Sequence, residues 1–296
     1  MAYIEIKDLE NKLINAGIEK KEAEKEISIL IKEFSKNNLE KIQIIVNKRI
    51  ETREPIQYML GKAYFMDFEI KVNKNVLIPR PETEILVEET VRRLNCHSQL
   101  DWESRNKTKD WIPTYAGMTK ALDIGTGSGI IAIALARLIP HIKIVAIDLN
   151  QEIIALAKEN AKNCGVSDKI DFKVCDLFSN DFDKLLKKNN FDLIVSNPPY
   201  VRASQLKKLS PEIYLHEPKI ALSGSKENST GLIYYERIIQ LIAGKGLSRP
   251  TPTTMAFEID PPLANDLKSL LKENGLNNYE IVKDYAKLNR CLFIVL

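Results

Sequence analysis

The stretch Ala121-Leu122-Asp123-Ile124-Gly125-Thr126-Gly127-Ser128-Gly129 decides the fold of this 296-residue sequence. Its first four residues are typical of a short buried strand, and the alternating glycines predict a turn. The apolar run 130–138 predicts a helix directly after that turn. Glycines at such a corner allow positive φ and close backbone approach, and the helix N-terminus favours a negatively charged ligand group. The stretch therefore predicts an α/β fold that binds a ligand.

The spacing of these glycines argues against a nicotinamide dinucleotide site. That fingerprint needs its third glycine one place later, at the position of Ile130. The strand predicted over 143–147 ends in Asp148, where a carboxylate can accept both hydroxyls of a ribose. A nucleoside-containing ligand other than a dinucleotide is therefore favoured.

Another acidic residue, Asp176, ends the strand predicted over 170–174, after a predicted helix over 151–163. It is placed to accept from an adenine amino group, or else to cap the helix that follows. Leu177 and Phe178 are expected to be apolar walls of the adenine slot. Asp123 has two interpretations as well, a helix cap or an acceptor for the amino-acid end of a cofactor.

Asn197-Pro198-Pro199-Tyr200 follows the apolar run 191–196 and predicts a binding site for a planar NH2 group. The Asn197 side-chain oxygen and the Pro198 carbonyl can each accept one N–H bond. The two prolines fix φ and remove backbone donors, and Tyr200 supplies an aromatic wall. An amide or exocyclic amino nitrogen is a poor nucleophile because its lone pair is conjugated. Two acceptors help to direct that lone pair towards an electrophile. The segment therefore predicts that an electrophile binds nearby.

The glycine turn, Asp148, Asp176 and the 197–200 segment end four successive predicted strands, where ligands bind in open α/β sheets. This order resembles a class I S-adenosylmethionine-dependent methyltransferase. The resemblance implies an α/β, Rossmann-like fold with a mostly parallel seven-stranded sheet and S-adenosyl-L-methionine as the cofactor.

Two further blocks narrow the resemblance, Glu-Pro-Ile-Gln-Tyr-Met-Leu-Gly at 54–61 and Leu-Ile-Pro-Arg-Pro-Glu-Thr-Glu at 77–84. With the 197–200 segment, they are similar to the HemK/PrmC family, which methylates the glutamine of the Gly-Gly-Gln motif in peptide chain release factors. The similarity runs over nearly the whole chain. It implies catalytic and substrate-binding roles for Asn197, Pro198, Pro199 and Tyr200. It implies cofactor binding by Asp123, Gly125, Thr126, Gly127, Ser128, Gly129, Asp148, Asp176, Leu177 and Asn197.

The chain is expected to comprise three parts. Apolar stripes at helical spacing predict a helical bundle over 1–62, and the resemblance implies that this bundle grips the release factor. A linker hairpin is predicted over 63–79, with 68–72 turning through 73–75 into 76–78. The methyltransferase domain is predicted over 80–296, with an inserted loop at 96–120 and a second departure from the family pattern at 244–254.

The amino-acid composition gives little indication of a particular binding partner. With 43 basic and 40 acidic residues, the net charge of +3 gives no broad footprint for duplex DNA. Four widely spaced cysteines predict reduced thiols, and the three histidines do not form a metal-binding pattern. The sequence lacks a secretory signal, and its longest apolar segment is too short to span a bilayer. These features predict a soluble, cytoplasmic monomer without metal or membrane contact.

Two alternatives remain open at this stage. An N6-adenine DNA methyltransferase or exocyclic-amine RNA methyltransferase would flip its base into the same slot, but needs a basic groove to grip the strand. A non-catalytic module would bind the cofactor without turnover. The intact glycine turn and Asn197-Pro198-Pro199-Tyr200 segment favour an enzyme.

Overall fold

The computed structural model describes residues 2–35, 38–95, 119–224, 228–243 and 253–296. Most of the predicted inserted loop, residues 96–118, and most of the second departure, residues 244–252, lie outside this range. Thr119 and Lys120 already lead into a strand of the sheet, and Thr254 begins another.

Four helices form the N-terminal part of the chain. They are α1 (Ala2–Asn15), α2 (Lys20–Phe34), α3 (Leu39–Thr52) and α4 (Ile56–Leu60). Their apolar stripes meet in a separate small core that includes Leu13, Leu30, Ile42 and Val46, each with no exposed surface. Burial of these stripes stabilises helices that would be marginal in isolation.

The hairpin that follows differs from the predicted one. Strand β1 (Lys62–Phe65) pairs antiparallel with β2 (Phe68–Lys71) around a turn at Met66 and Asp67. The prediction that 76–78 forms the second strand is wrong. Pro79 and Pro81 lack backbone N–H donors, so this part of the chain is poorly suited to a ladder. The buried Val76 instead offers its carbonyl to the Tyr58 hydroxyl at 2.7 Å.

The remaining helices and strands build the C-terminal part of the chain. The helices are α5 (Pro81–Asn95), α6 (Ile130–Leu138), α7 (Gln151–Asn163), α8 (Asn180–Lys188), α9 (Pro211–His216), α10 (Lys219–Ser223), α11 (Ile233–Ala243) and α12 (Ala264–Glu273). The strands are β3 (Lys120–Ile124), β4 (Lys143–Asp148), β5 (Ile170–Val174), β6 (Leu193–Ser196), β7 (Thr254–Glu258), β8 (Tyr279–Lys283) and β9 (Asn289–Val295).

These seven strands form one sheet in the order β5-β4-β3-β6-β7-β9-β8. The pairs from β5 to β7 are parallel, and β9 runs antiparallel to both β7 and β8. The predicted mostly parallel seven-stranded sheet is therefore confirmed.

Helices cover both faces of the sheet. Alternate strand residues such as Ala121 and Leu122 enter two different apolar clusters, one with α5, α6 and α7 and the other with α8, α11 and α12. A strand buried on both faces reads as a continuous apolar run, which is why the sequence reveals the central strands well.

A buried ionic cluster joins the helical bundle to the C-terminal part of the chain. Arg49 of α3 has no exposed surface, and its guanidinium donates to Glu26 of α2 at 3.0 Å and to Glu212 of α9 at 3.2 Å. Arg53 also contacts Glu212, and His216 Nε2 lies 2.8 Å from the carbonyl oxygen of Thr52. The bundle therefore has a defined position against α9.

Within the described ranges, none of the helices is both long enough and apolar enough to cross a membrane. The same residues contain no cluster of three or more His, Cys, Asp or Glu side chains suited to a metal ion.

We expect Arg49→Met to lower the free energy of unfolding by about 3–5 kcal/mol, because it leaves buried carboxylates without their cation. Urea unfolding followed by circular dichroism would measure this. Adding Glu26→Gln to Arg49→Met should recover part of the loss. Lys184→Met, which removes an exposed pair with Asp181, is the control and should cost little. Equal losses for the Arg49 and Lys184 variants would contradict a linking role for the cluster.

Candidate active site

The candidate site lies at the edge where parallel strands end side by side. Ile124 of β3 is paired with Ile147 of β4 and with Ser196 of β6, and Ser196 is paired with Phe257 of β7. The loops after these strands enclose a cavity of about 660 Å³, a size typical of small-molecule sites. Its lining includes the predicted residues Gly125, Thr126, Gly127, Ser128, Asp148, Asp176, Leu177, Asn197, Pro198 and Pro199.

The glycine loop is shaped for close approach of a ligand. The N–H groups of Gly125 and Thr126 both donate to the carbonyl of Ile147 at 2.9 Å, which extends the contact between β3 and β4 into the loop. Gly125 and Gly127 have φ of +72° and +56°, and a Cβ at either position would meet no protein atom within 4 Å. Both residues line the cavity, so a side chain there would occupy open ligand space.

Gly129 has a different function in the loop. Its φ is +86°, and a Cβ would lie 3.1 Å from Ile133 and 3.2 Å from Ala157, so glycine allows α6 and α7 to pack closely. Asn160 of α7, which is buried, donates to the carbonyls of Ser128 and Lys71, each at 2.9 Å. The loop is thus held against both α7 and the hairpin.

Asp148 accepts a hydrogen bond from the glycine loop and also lines the cavity. Its Oδ2 accepts from the N–H of Gly127 at 2.9 Å, and its Oδ1 accepts from the N–H of Leu149 at 2.8 Å. Burial raises its pKa, opposed by these backbone donors. The carboxyl is therefore held at the cavity wall, where the sequence predicts ribose contacts.

The predicted adenine end of the cavity is more exposed. Asp176 is exposed, and its Oδ1 accepts from the N–H of Phe178 at 2.9 Å. Leu177 is 7% exposed and packs into the core, whereas Phe178 is 45% exposed and meets Tyr234 edge to face at 5.5 Å. Both aromatic residues line the cavity, and the adenine role of Asp176 stays a prediction.

Asp123 lies beneath the loop, outside the described cavity lining. Its side chain has no exposed surface, and its Oδ2 accepts from the Thr126 hydroxyl at 2.6 Å. Burial raises the pKa of Asp123 to about 7, while Thr126 and the backbone N–H of Ala132 act in the opposite direction. This geometry supports the loop through Thr126. Direct contact with a cofactor stays a prediction.

Asn197 lines the cavity and belongs to a chain of buried polar groups. Its Nδ2 donates to the Thr83 hydroxyl at 3.3 Å, and that hydroxyl donates to Glu258 at 2.6 Å. The Tyr200 hydroxyl donates to the other oxygen of Glu258 at 3.4 Å. Burial raises the pKa of Glu258 to about 7, and Thr83 and Arg290 favour its ionised form.

Asn228 and Gly231 contact the backbone of the rest of the 197–200 segment. Asn228, which is buried, donates to the carbonyl of Pro199 at 3.2 Å. A Cβ at Gly231 would lie 2.6 Å from the Tyr200 carbonyl oxygen, so the close approach requires glycine. Pro198 and Pro199 line the cavity, while Tyr200 lies outside the described lining and packs on the core. Its predicted role as an aromatic wall stays a prediction.

Arg80, for which the sequence leaves open a salt-linked corner or a role in shaping the substrate mouth, lines the cavity and donates at 2.5 Å to the buried Glu217. Three residues of the site were missed by reasoning from sequence. Asn160, Asn228 and Glu258 hold loops from distant parts of the chain. A carboxylate ending the apolar run 255–257 is the one visible signal, for Glu258, whereas a single asparagine in a polar stretch gives none.

Comparisons with known proteins identify relatives over most of the chain. Residues 117–245 match a family model described as a methyltransferase domain. The chain is 33% identical over 266 residues to a release factor glutamine methyltransferase of Thermodesulfovibrio yellowstonii, covering 88% of this chain and 83% of that protein. It is 34% identical over 254 residues to a release factor glutamine methyltransferase of Chlorobaculum tepidum, covering 86% and 78%.

A solved structure agrees on the fold. The hMettl16 catalytic domain in complex with the MAT2A 3'UTR hairpin 6 aligns with a TM-score of 0.53 at 16% identity, covering 84% of this chain and 81% of that one. At this level of identity, the likeness concerns the fold alone.

Titration of Asp123 should be visible in the pH dependence of stability. Its pKa is raised to about 7 in the folded state, so between about pH 4 and 7 the unfolded chain loses a proton that the folded chain keeps. The free energy of unfolding of the wild type should therefore fall with rising pH, relative to Asp123→Asn, by at most about 1.4 kcal/mol per pH unit.

Urea unfolding of both proteins at pH 5 and pH 8 would measure this difference. Any constant cost of the asparagine cancels, because only the change with pH matters. A difference that is the same at both pH values would contradict the raised pKa.

Proposed function

This chain belongs to the release factor glutamine methyltransferase family, and from that membership we propose its reaction. It transfers a methyl group from S-adenosyl-L-methionine to the side-chain amide nitrogen of the glutamine in the Gly-Gly-Gln motif of peptide chain release factors. The observation that carries this proposal is the relationship to the two named methyltransferases over most of both chains. The position of Asn197 on the cavity wall supports it.

The residues of the cavity fit S-adenosyl-L-methionine. The glycine loop leaves open space where Cβ atoms of residues 125 and 127 would stand. Asp148 offers a carboxylate for ribose hydroxyls, and Asp176 offers one near the aromatic pair of Phe178 and Tyr234 for adenine. Leu177 contributes apolar wall, and Asp123 acts through Thr126 on the loop. The bound cofactor supplies an electrophilic sulfonium methyl group.

The chain's contribution to the reaction is orientation. The glutamine amide nitrogen would form a C–N bond to the donated methyl group while the donor's C–S bond breaks and its electron pair stays on sulfur as a neutral thioether. The Asn197 side-chain oxygen and the Pro198 carbonyl accept the amide N–H bonds and stabilise positive charge developing on nitrogen. The attacking nitrogen becomes acidic, so its proton passes to water without a strong base. Holding reacting atoms at roughly 3–3.5 Å supplies most of the acceleration.

The helical bundle is proposed to bind the release factor. Arg49 and Glu212 couple it to α9, and Pro218, Ile220 and Ala221, which follow α9, line the cavity. A protein lying across this junction would reach the bundle and the cavity together. Leu215 and Ile220 are 61% and 52% exposed there and offer apolar contacts. The enzyme is further proposed to act in the cytoplasm as a monomer, without binding nucleic acid directly.

Methyl transfer from labelled S-adenosyl-L-methionine tests the proposed reaction. We expect label on an intact release factor and none on its Gln-to-Ala variant in the Gly-Gly-Gln motif, because the glutamine nitrogen is the nucleophile. Unmethylated DNA and RNA are offered in parallel. Label on nucleic acid alone would replace the proposal with base methylation, and cofactor binding without any label would indicate a non-catalytic module.

We expect Asn197→Ala to reduce kcat by about 100-fold, because the acceptor that orients the amide is lost. The dissociation constant for S-adenosyl-L-methionine, measured by calorimetry, should change little. Asn265→Ala, which alters an exposed side chain on α12, is the control. Equal losses in turnover and cofactor affinity for Asn197→Ala would contradict this division of roles.

A further inference from the structure

The sheet register places Asn197 beside a buried carboxylate. Ser196 and Phe257 are paired in parallel strands, so Asn197 and Glu258 follow next to each other at the same edge. Helix α5 begins at Pro81 and brings Thr83 between the two side chains. Thr83 is 2% exposed and Glu258 is 1% exposed. Thr83 and Glu258, which come from two distant parts of the chain, therefore lie next to Asn197, the predicted acceptor.

The hydrogen bonds of Thr83 have a defined direction. Its hydroxyl lies 2.6 Å from Oε2 of Glu258 and 3.3 Å from Nδ2 of Asn197. A threonine hydroxyl carries one proton, and Glu258, whose pKa is raised to about 7, only accepts when it is ionised. With Glu258 ionised, the Thr83 proton is used in the bond to its carboxylate, so Thr83 can only accept from Asn197. This turns the NH2 end of the Asn197 amide towards Thr83 and the oxygen end away from it.

The orientation of this amide matters for the proposed reaction. The glutamine side chain presents an NH2 group, which needs acceptors. An Asn197 turned the other way would set NH2 against NH2 and make no hydrogen bond. Because asparagine's two ends are nearly equal in size, packing alone discriminates poorly between them. The neighbouring hydrogen-bond partner is what distinguishes the two orientations.

We propose that Thr83 and Glu258 are positioning residues that hold the Asn197 side chain with its oxygen towards the substrate amide. The inference rests on the proposed methyl transfer and adds two residues that act through Asn197. Glu258 also accepts from the Tyr200 hydroxyl at 3.4 Å. One buried carboxylate is therefore linked to both ends of the 197–200 segment, directly to Tyr200 and through Thr83 to Asn197. Burying this carboxylate is costly, which argues for a role that an apolar residue could not fill.

Three variants at Thr83 and Glu258 test the inference in release factor methylation. Thr83→Val keeps the shape of the side chain but removes the acceptor, so kcat should fall at least about 10-fold with little change in cofactor affinity. Thr83→Ser keeps the hydroxyl and should restore kcat to within about 3-fold of wild type. Glu258→Leu removes the acceptor for the Thr83 proton and should lower kcat as well.

The control is Thr90→Val. Thr90 is fully buried on the same helix, and its hydroxyl donates to the carbonyl of Leu86 at 2.7 Å, away from Asn197. It reports the general cost of removing a buried hydroxyl from α5. We expect kcat of Thr90→Val to match the wild type, and thermal unfolding of all variants would confirm that each is folded at the assay temperature.

A double-mutant cycle separates positioning from a merely structural role. In single-turnover assays, Thr83→Val should cost almost nothing further in an Asn197→Ala background, because the side chain being oriented is gone. A cost equal to that in the wild-type background would overturn the inference, as would a Thr83→Val enzyme that turns over like Thr90→Val. If the wild type itself labels no release factor, the proposed function fails and the inference falls with it.

Discussion

Parallel hydrogen bonding between β3, β4, β6 and β7 aligns four strand ends at one edge of the sheet, and the candidate site depends on that alignment. The loops after these strands leave in the same direction, so their polar groups converge although they are far apart in sequence. The Ile147 carbonyl, which accepts from Gly125 and Thr126, carries the β3–β4 contact into the glycine loop. Helices bury both faces of the sheet, so the central strands are apolar on both sides.

Buried polar side chains then hold the loops in one conformation. Asn160 ties the glycine loop to the hairpin, and Asn228 ties the 197–200 segment to the loop that precedes α11. Glu258 joins that segment to α5 through Thr83. Each group is costly to bury unless it is paired, so a displaced loop would lose a hydrogen bond in a place that water reaches poorly. The site is therefore held rigid by its surroundings as well as by its own prolines.

The helical bundle is attached by the same kind of interaction. Arg49 is fully buried between Glu26 and Glu212, so separation of the bundle from α9 would leave charges without partners in a poorly hydrated environment. Such a pair contributes little net stability compared with apolar packing, but it penalises other arrangements. The bundle and the cavity mouth consequently keep a defined relation, which suits binding of one protein across both.

The sequence by itself determined the class of sheet, the central strands and the positions of the glycine loop, Asp148 and Asn197. These depend on local signals: apolar runs, positive-φ glycines and residues at strand ends. The tertiary structure alone decided the pairing of the hairpin, the burial of Asp123 under the loop, and the convergence of Thr83 and Glu258 on Asn197. Those outcomes depend on which distant residues become neighbours, and the direction of a buried hydrogen bond exists only once its donor and acceptor have been brought together.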